Sequence, residues 1–210
     1  MKMVPWAANG LNSKGEAMNY GQIKIKIQNL GFAEAEEMGD FDVNLIPNAV
    51  NLAISELVQT YPIIDSLEFS IDNDDTGIFE LDMETEGNNF YDFVGEAPVI
   101  YGENGSYEDF TDYRIRANRI VEINADEYKG DFRIRYKRGH FQFTKDSSDN
   151  LNLELPLKVQ HLVPLLASYY VWLDDDVQKA QDYYTQYETA FNTVQEETTK
   201  PRARILTGGI

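Results

Sequence analysis

The hydrophobic period of this chain changes twice, and that narrows the folds it can adopt. Near both ends apolar residues recur every three or four positions, and between them they recur every two. Ile46, Val50, Ala53, Ile54 and Leu57 mark one face of a helix over residues 43–60. Asp42 can cap its start, and Pro47 fits if it lies in the first turn. Residues 155–173 read as another helix, with Pro156 suited to a first helical position. Pro164 removes one backbone hydrogen bond and is expected to kink it. Asp174, Asp175 and Asp176 then break the pattern, and Asp175 or Asp176 can cap a last helix. That helix carries a seam of Val177, Ala180, Tyr184, Tyr187, Phe191 and Val194. Tyr184, Tyr187 and Phe191 suit either a core or a subunit contact. Residues 19–30 fit both periods: Ile23, Ile25 and Ile27 alternate, while Ile23, Ile27 and Leu30 share a helix face. A short helix is the favoured reading there.

The middle of the chain reads as strands. Leu67, Phe69 and Ile71 alternate with polar residues, as do Phe79, Leu81 and Met83, and turn-forming residues 73–77 lie between them. The pattern predicts a hairpin over 66–83. Residues 97–101 give another strand. Tyr113, Ile115 and Ala117 alternate with Arg114 and Arg116, then Asn118 and Arg119 turn the chain into residues 120–123. After a turn at Lys129 and Gly130, Phe132, Ile134 and Tyr136 alternate with Arg133, Arg135 and Lys137. Both strands thus have one apolar and one cationic face. The expected architecture is α+β: N- and C-terminal helices, residues 18–60 and 155–197, form a helical body. An antiparallel β-sandwich or small barrel is inserted at 61–150. Residues 1–17 read as a flexible leader or arm. Residues 198–210 read as a basic docking tail, in which Lys200, Arg202 and Arg204 are joined by Ile205 and Leu206.

Charge is sorted by segment. Between Ile27 and Tyr113 there are 21 acidic residues and no lysine or arginine, whereas Arg114 to Arg138 carry eight cations against four acids. The formal net charge of -18 over 210 residues argues against nucleic-acid binding by attraction, which needs a basic footprint. It suits a surface that DNA slides past. The cationic faces of Arg114, Arg116, Arg133, Arg135 and Lys137 are candidate docks for an acidic partner, including the acidic segment of a neighbouring copy, or else a solvated sheet surface. The chain has no cysteine, and its two histidines, His140 and His161, lack partners at metal-ligand spacing. Residues 72–77 begin like a calcium loop, but Thr76 holds the fifth position and Met83 stands where a bidentate glutamate is required. No phosphate-cradling glycine loop or nucleophile elbow is present. No catalytic residue, metal or cofactor is expected, and no apolar run suggests a membrane span.

Four stretches resemble one family. They are NAVNLAISEL at 48–57, GDFRIRYKR at 130–138, and LELP at 153–156 leading into HLVPLLASYY at 161–170 and LDD at 173–175. The fourth is AQDYYTQYETAF at 180–191. Together they are similar to the head-to-tail adaptor proteins of tailed bacteriophages, which include the tail tubular ring proteins. The resemblance covers roughly residues 18–205, and its motifs are structural. It implies a non-enzymatic connector of the virion head–tail junction, in a ring of about a dozen copies. Its implied partners are further copies, the portal protein and the next tail or ring protein, with DNA passing through without specific binding. Two other readings stay open: another tail or baseplate structural protein, and a secreted acidic β-rich module that holds glycans or calcium.

Overall fold

The structure, a computed structural model, describes residues 17–31, 45–95, 98–103 and 106–199. The expected leader up to residue 16, the Asp42 cap and the tail residues Lys200, Arg202, Arg204, Ile205 and Leu206 lie outside the described residues. The fold is α+β, with five helices and two antiparallel sheets among the described residues. It divides into two compact units. Of the described residues, one takes those up to Ile46, Lys145–Leu153 and those from Leu157 onward; the other takes those of Pro47–Thr144 with Glu154–Pro156.

In the first unit, α1 (Tyr20–Gly31) settles the ambiguous period in favour of the helix. Asn19 Oδ1 accepts the Gln22 N–H at 2.9 Å while Gln22 Oε1 accepts the Asn19 N–H at 3.0 Å, a reciprocal cap that satisfies two otherwise unpaired donors. Tyr20, Ile23 and Ile27 are buried, and Ile25 between them is 55% exposed. The segment Lys145–Leu153 ties down the helix start: the Tyr20 and Gly21 N–H groups donate to Leu151 and Asp149 carbonyls, and Leu153 N–H donates to Met18. Burial, with Asp149 nearby, pushes the Tyr20 phenol up to about 12.

Helix α1 packs on α4 (Leu162–Trp172), and α4 packs on α5 (Val177–Thr199). Pro164 does not kink a long helix as expected. A short 3-10 turn at Leu157–Val159 precedes α4, so Pro164 sits in the first turn, where its N–H would have had no intrahelical partner. Asp176 is the cap of α5, accepting the Lys179 N–H at 3.0 Å. The buried seam of α5 differs from expectation. It runs through Ala180, Tyr183, Tyr187 and Val194, while Tyr184 and Phe191 are half-buried and Val177 is 69% exposed. Residues 183 and 184 lie four and three positions before Tyr187, so both border one stripe, and Tyr183 takes its centre.

The second unit holds α2 (Leu45–Thr60) from Pro47 on, although sequence placed residues 43–60 with the other helices. Pro47 lies in the first turn of α2, and Val50, Ala53, Ile54 and Leu57 are buried. The strands are β1 (Ile63–Ile71), β2 (Ile78–Asp82), β3 (Phe90–Phe93), β4 (Val99–Glu103), β5 (Ser106–Asp109), β6 (Tyr113–Arg116), β7 (Ile120–Asn124) and β8 (Gly130–Arg138). The short α3 (Met83–Glu86) follows β2. One sheet has the order β1-β8-β4-β5, with β3 also paired to β8; the other is β2-β7-β6. Neither sheet closes into a barrel.

The hairpin expected over 66–83 does not form. β1 pairs with β8 along its whole length, from Ile63 opposite Arg138 to Ile71 opposite Gly130, and β2 pairs with β7. The apolar residues of β1 and β2 face each other instead of lying side by side, and the Phe69 and Phe79 rings stack at 5.4 Å with planes 5° apart. One hydrophobic cluster draws on both sheets, with Phe69, Ile71, Phe93, Val99, Phe132, Ile134 and Tyr136 from one and Leu81, Val121 and Ile123 from the other. Residues 72–77 carry the chain between sheets.

The β6–β7 turn places Ala117 at φ 51° and Asn118 at φ 57°, closed by the Arg119 N–H to the Arg116 carbonyl at 3.2 Å. A left-handed alanine costs about 1–2 kcal/mol, which glycine avoids. Ala117→Gly should therefore raise unfolding stability by about 1 kcal/mol in urea titrations. A loss of stability would contradict the turn.

Candidate functional site

The five cationic residues singled out from sequence do not form one patch. Arg114 and Arg116 lie on β6 in the three-stranded sheet, and Arg133, Arg135 and Lys137 lie on β8 in the five-stranded sheet. Alternation turns each set away from the shared core, because Phe132, Ile134 and Tyr136 point into it.

Three of the five are already occupied by acids of the same unit. Arg116 Nε donates to Glu122 at 2.6 Å and Nη2 to Glu80 at 2.8 Å. Glu80 and Glu122 stand directly opposite one another on β2 and β7, a placement that repels until a cation lies between them. Arg133 forks onto Glu68, its register partner on β1, with Nε at 2.9 Å. Lys137 binds Asp92 on β3 at 2.9 Å, and this hydrogen bond holds the Asp92 carboxyl below its ordinary value. Arg114 and Arg135 are exposed and make no ion pair among the described residues.

Residues that sequence did not single out complete this network. Arg119, in the β6–β7 turn, pairs with Asp82 and Glu84. Arg138 forks onto Glu154, with both Nη–Oε distances at 2.9 Å. Its Nε lies 3.3 Å from Asp65 but has no aligned hydrogen bond, so that contact is Coulombic only. Burial pushes the Glu154 carboxyl up, but the Arg138 fork and the Phe141 N–H outweigh it and hold the group below its ordinary value. Lys129 Nζ binds the carbonyls of Asp72 and Asp75, so an ammonium already sits on the loop that resembles a calcium site. The signal for these pairs was present in sequence as the charge sorting itself: acid-only strands must find their cations elsewhere in the chain.

The other candidates resolve into packing. His140 is buried. Its Nδ1–H donates to the Phe141 carbonyl at 2.8 Å, and Nε2 accepts from Ser55 at 3.0 Å and Gln142 at 3.1 Å. Tyr169, Tyr184, Tyr187 and Phe191 form a ladder with centroids 5.1, 5.8 and 5.6 Å apart, and Tyr187 is buried within it. Among the described residues no cluster of three or more histidine, aspartate or glutamate side chains could hold a metal. No described helix is long and apolar enough to cross a membrane. The chain matches no protein-family model and no curated protein sequence.

Two measurements probe the network. Arg116→Ala should lower the urea midpoint, and Glu80→Gln in that background should recover part of the loss, since it removes the exposed repulsion. Independent, additive effects would show that Arg116 does not bridge the two acids. The carboxyls of Glu154 and Asp92 have folded values below their unfolded ones. Their contribution is therefore full above the ordinary carboxylate range and is lost as pH falls through the folded values. Glu154→Gln should cost about 2 kcal/mol at pH 7, and the gap from the parent should shrink as the pH falls below the ordinary carboxylate range. A gap independent of pH would remove the fork from the account.

Proposed function

We propose that this protein is a structural connector of a tailed-phage virion, forming an oligomeric ring at the head–tail junction through which DNA passes without specific binding. The observation that carries this reading is the balance of charge after internal pairing. The chain's net charge is -18, and most cations of the sheet unit are held by its own acids, so the unneutralised surface is acidic. Such a surface repels phosphate at close range and lets DNA move past it. The stretches that resemble the adaptor family support the reading in that three of them fall on one element each: 48–57 on α2, 130–138 on β8 and 180–191 on α5, while the remaining one runs from the segment before the 3-10 turn through α4.

In this proposal α1, α4 and α5 make a helical body and the two sheets make a sandwich. Partners are further copies, the portal protein and the next tail or ring protein. Lys200, Arg202, Arg204, Ile205 and Leu206 provide a docking arm. The connector is non-enzymatic and needs no cofactor. The calcium-binding alternative is disfavoured by Lys129, whose ammonium sits on the Asp72 and Asp75 carbonyls and would repel a second cation in that loop. Negative-stain microscopy of the concentrated protein at low salt should show rings with a central opening. Uniform monomers under those conditions would contradict the proposal.

A further inference from the structure

We propose that the outward face of the five-stranded sheet around Arg135 receives the acidic edge strand β5 of a second copy, with Asp109 as the charge that meets Arg135. The contact rests on the connector reading and names the surfaces that would join its copies.

Arg135 is fixed in direction by its backbone. Its N–H donates to the Pro98 carbonyl at 2.9 Å, and its carbonyl accepts the Val94 N–H at 3.2 Å, so it sits where β8 passes from β3 to β4. The ladder aims its side chain outward, between Arg133 and Lys137. Across β1 its register partner is Ser66, which offers no charge. The neighbouring acids of that face, Glu68 and Asp92, are taken by Arg133 and Lys137. Among the described residues Arg135 is thus the surplus cation of this face, in a chain with 36 acids and 18 cations. Exposed apolar side chains lie on the flanking strands: Ile64, opposite Lys137 and so diagonal to Arg135, is 57% exposed, and Tyr91 on β3 is 77% exposed. An exposed aliphatic diagonal to an arginine suits a contact anchor.

The complementary surface is at the other edge of the same sheet. β5 pairs only with β4 and carries Glu108 and Asp109, both exposed and without an ion pair among the described residues. Asp109 lies opposite Ile100, which lies opposite Arg133, so Asp109 projects on the same outward face as Arg135. Within one copy it stands two strands from β8 and pairs with neither cation. Two different surfaces of one chain that complement each other make a head-to-tail contact, which propagates into a ring or a filament. Arg114 is not on this face: it lies on β6 of the other sheet, opposite Glu122 in register.

The test is sedimentation velocity of the full chain and charge variants near 0.1 M salt, where the Debye length is about 10 Å. The parent should self-associate, and Arg135→Glu should weaken association about tenfold or more, since it puts like charges together. Asp109→Lys alone should do the same. Arg135→Glu combined with Asp109→Lys should restore association. Arg114→Glu, an equal change in net charge, should leave it intact. Arg135 makes no ion pair among the described residues, so the urea midpoint of Arg135→Glu should match the parent. If the parent associates and Arg135→Glu associates equally well, this contact is wrong while the connector reading survives. The contact is equally wrong if Arg114→Glu is as damaging or the swapped pair stays dissociated. A parent that is monomeric at every concentration overturns both.

Discussion

Strand β8 organises the second unit. It pairs with β1 along one edge and with β3 and β4 along the other, and its inward residues Phe132, Ile134 and Tyr136 lie at the centre of the shared hydrophobic cluster. The same strand supplies the cations that its neighbours need. β1 brings Glu68 and Asp65, β3 brings Asp92, and Glu154 comes from the segment that returns to this unit; they meet Arg133, Arg138, Lys137 and again Arg138. A sheet built from acid-only strands alone would repel itself. Cross-strand opposite charges offset that repulsion, each contributing modestly, roughly 0.2–1 kcal/mol. The second sheet follows the same rule, with Arg116 between Glu80 and Glu122.

This neutralisation shapes what the protein can do. Once most of the sheet cations are engaged by their own chain, that unit has less positive charge to attract nucleic acid, and the acidic surplus of the chain dominates. Under the proposed connector function, that surplus faces the passing DNA. Among the described residues of the two sheets, Arg114 and Arg135 are informative because they make no ion pair. Charge sorting along the sequence is thus a folding device before it is a binding device.

Much of the architecture was legible in the sequence. The helical period at both ends, the period-two alternation between them, and the strands expected at 113–117 and 132–137, which the structure places at 113–116 and 130–138, all follow from where Ile, Phe and Tyr fall. The neighbours of each strand were not legible. The acidic turn at 72–77 looks like a hairpin turn, but whether it joins strands within a sheet or between sheets depends on which rings stack, and Phe69 on Phe79 decides it. Placing α2 with the sheets rather than with α4 and α5 likewise depends on tertiary packing that no local period encodes. Of the cationic candidates, sequence located Arg114, Arg116, Arg133, Arg135 and Lys137 on outward faces. It could not tell engaged from free, because register sets that: Arg133 falls opposite Glu68, and Arg135 falls opposite Ser66.

The most direct test of internal neutralisation is the motion of arginine side chains, read from the 15N heteronuclear NOE of each Nε–Hε group. Engaged guanidinium groups should be nearly as rigid as the backbone, and free ones should move on the sub-nanosecond scale. The account predicts high values for Arg116, Arg133 and Arg138 and low values for Arg114 and Arg135. Uniformly low values across all five would show that the acidic and basic strands are not joined through their side chains, and the central claim would fall.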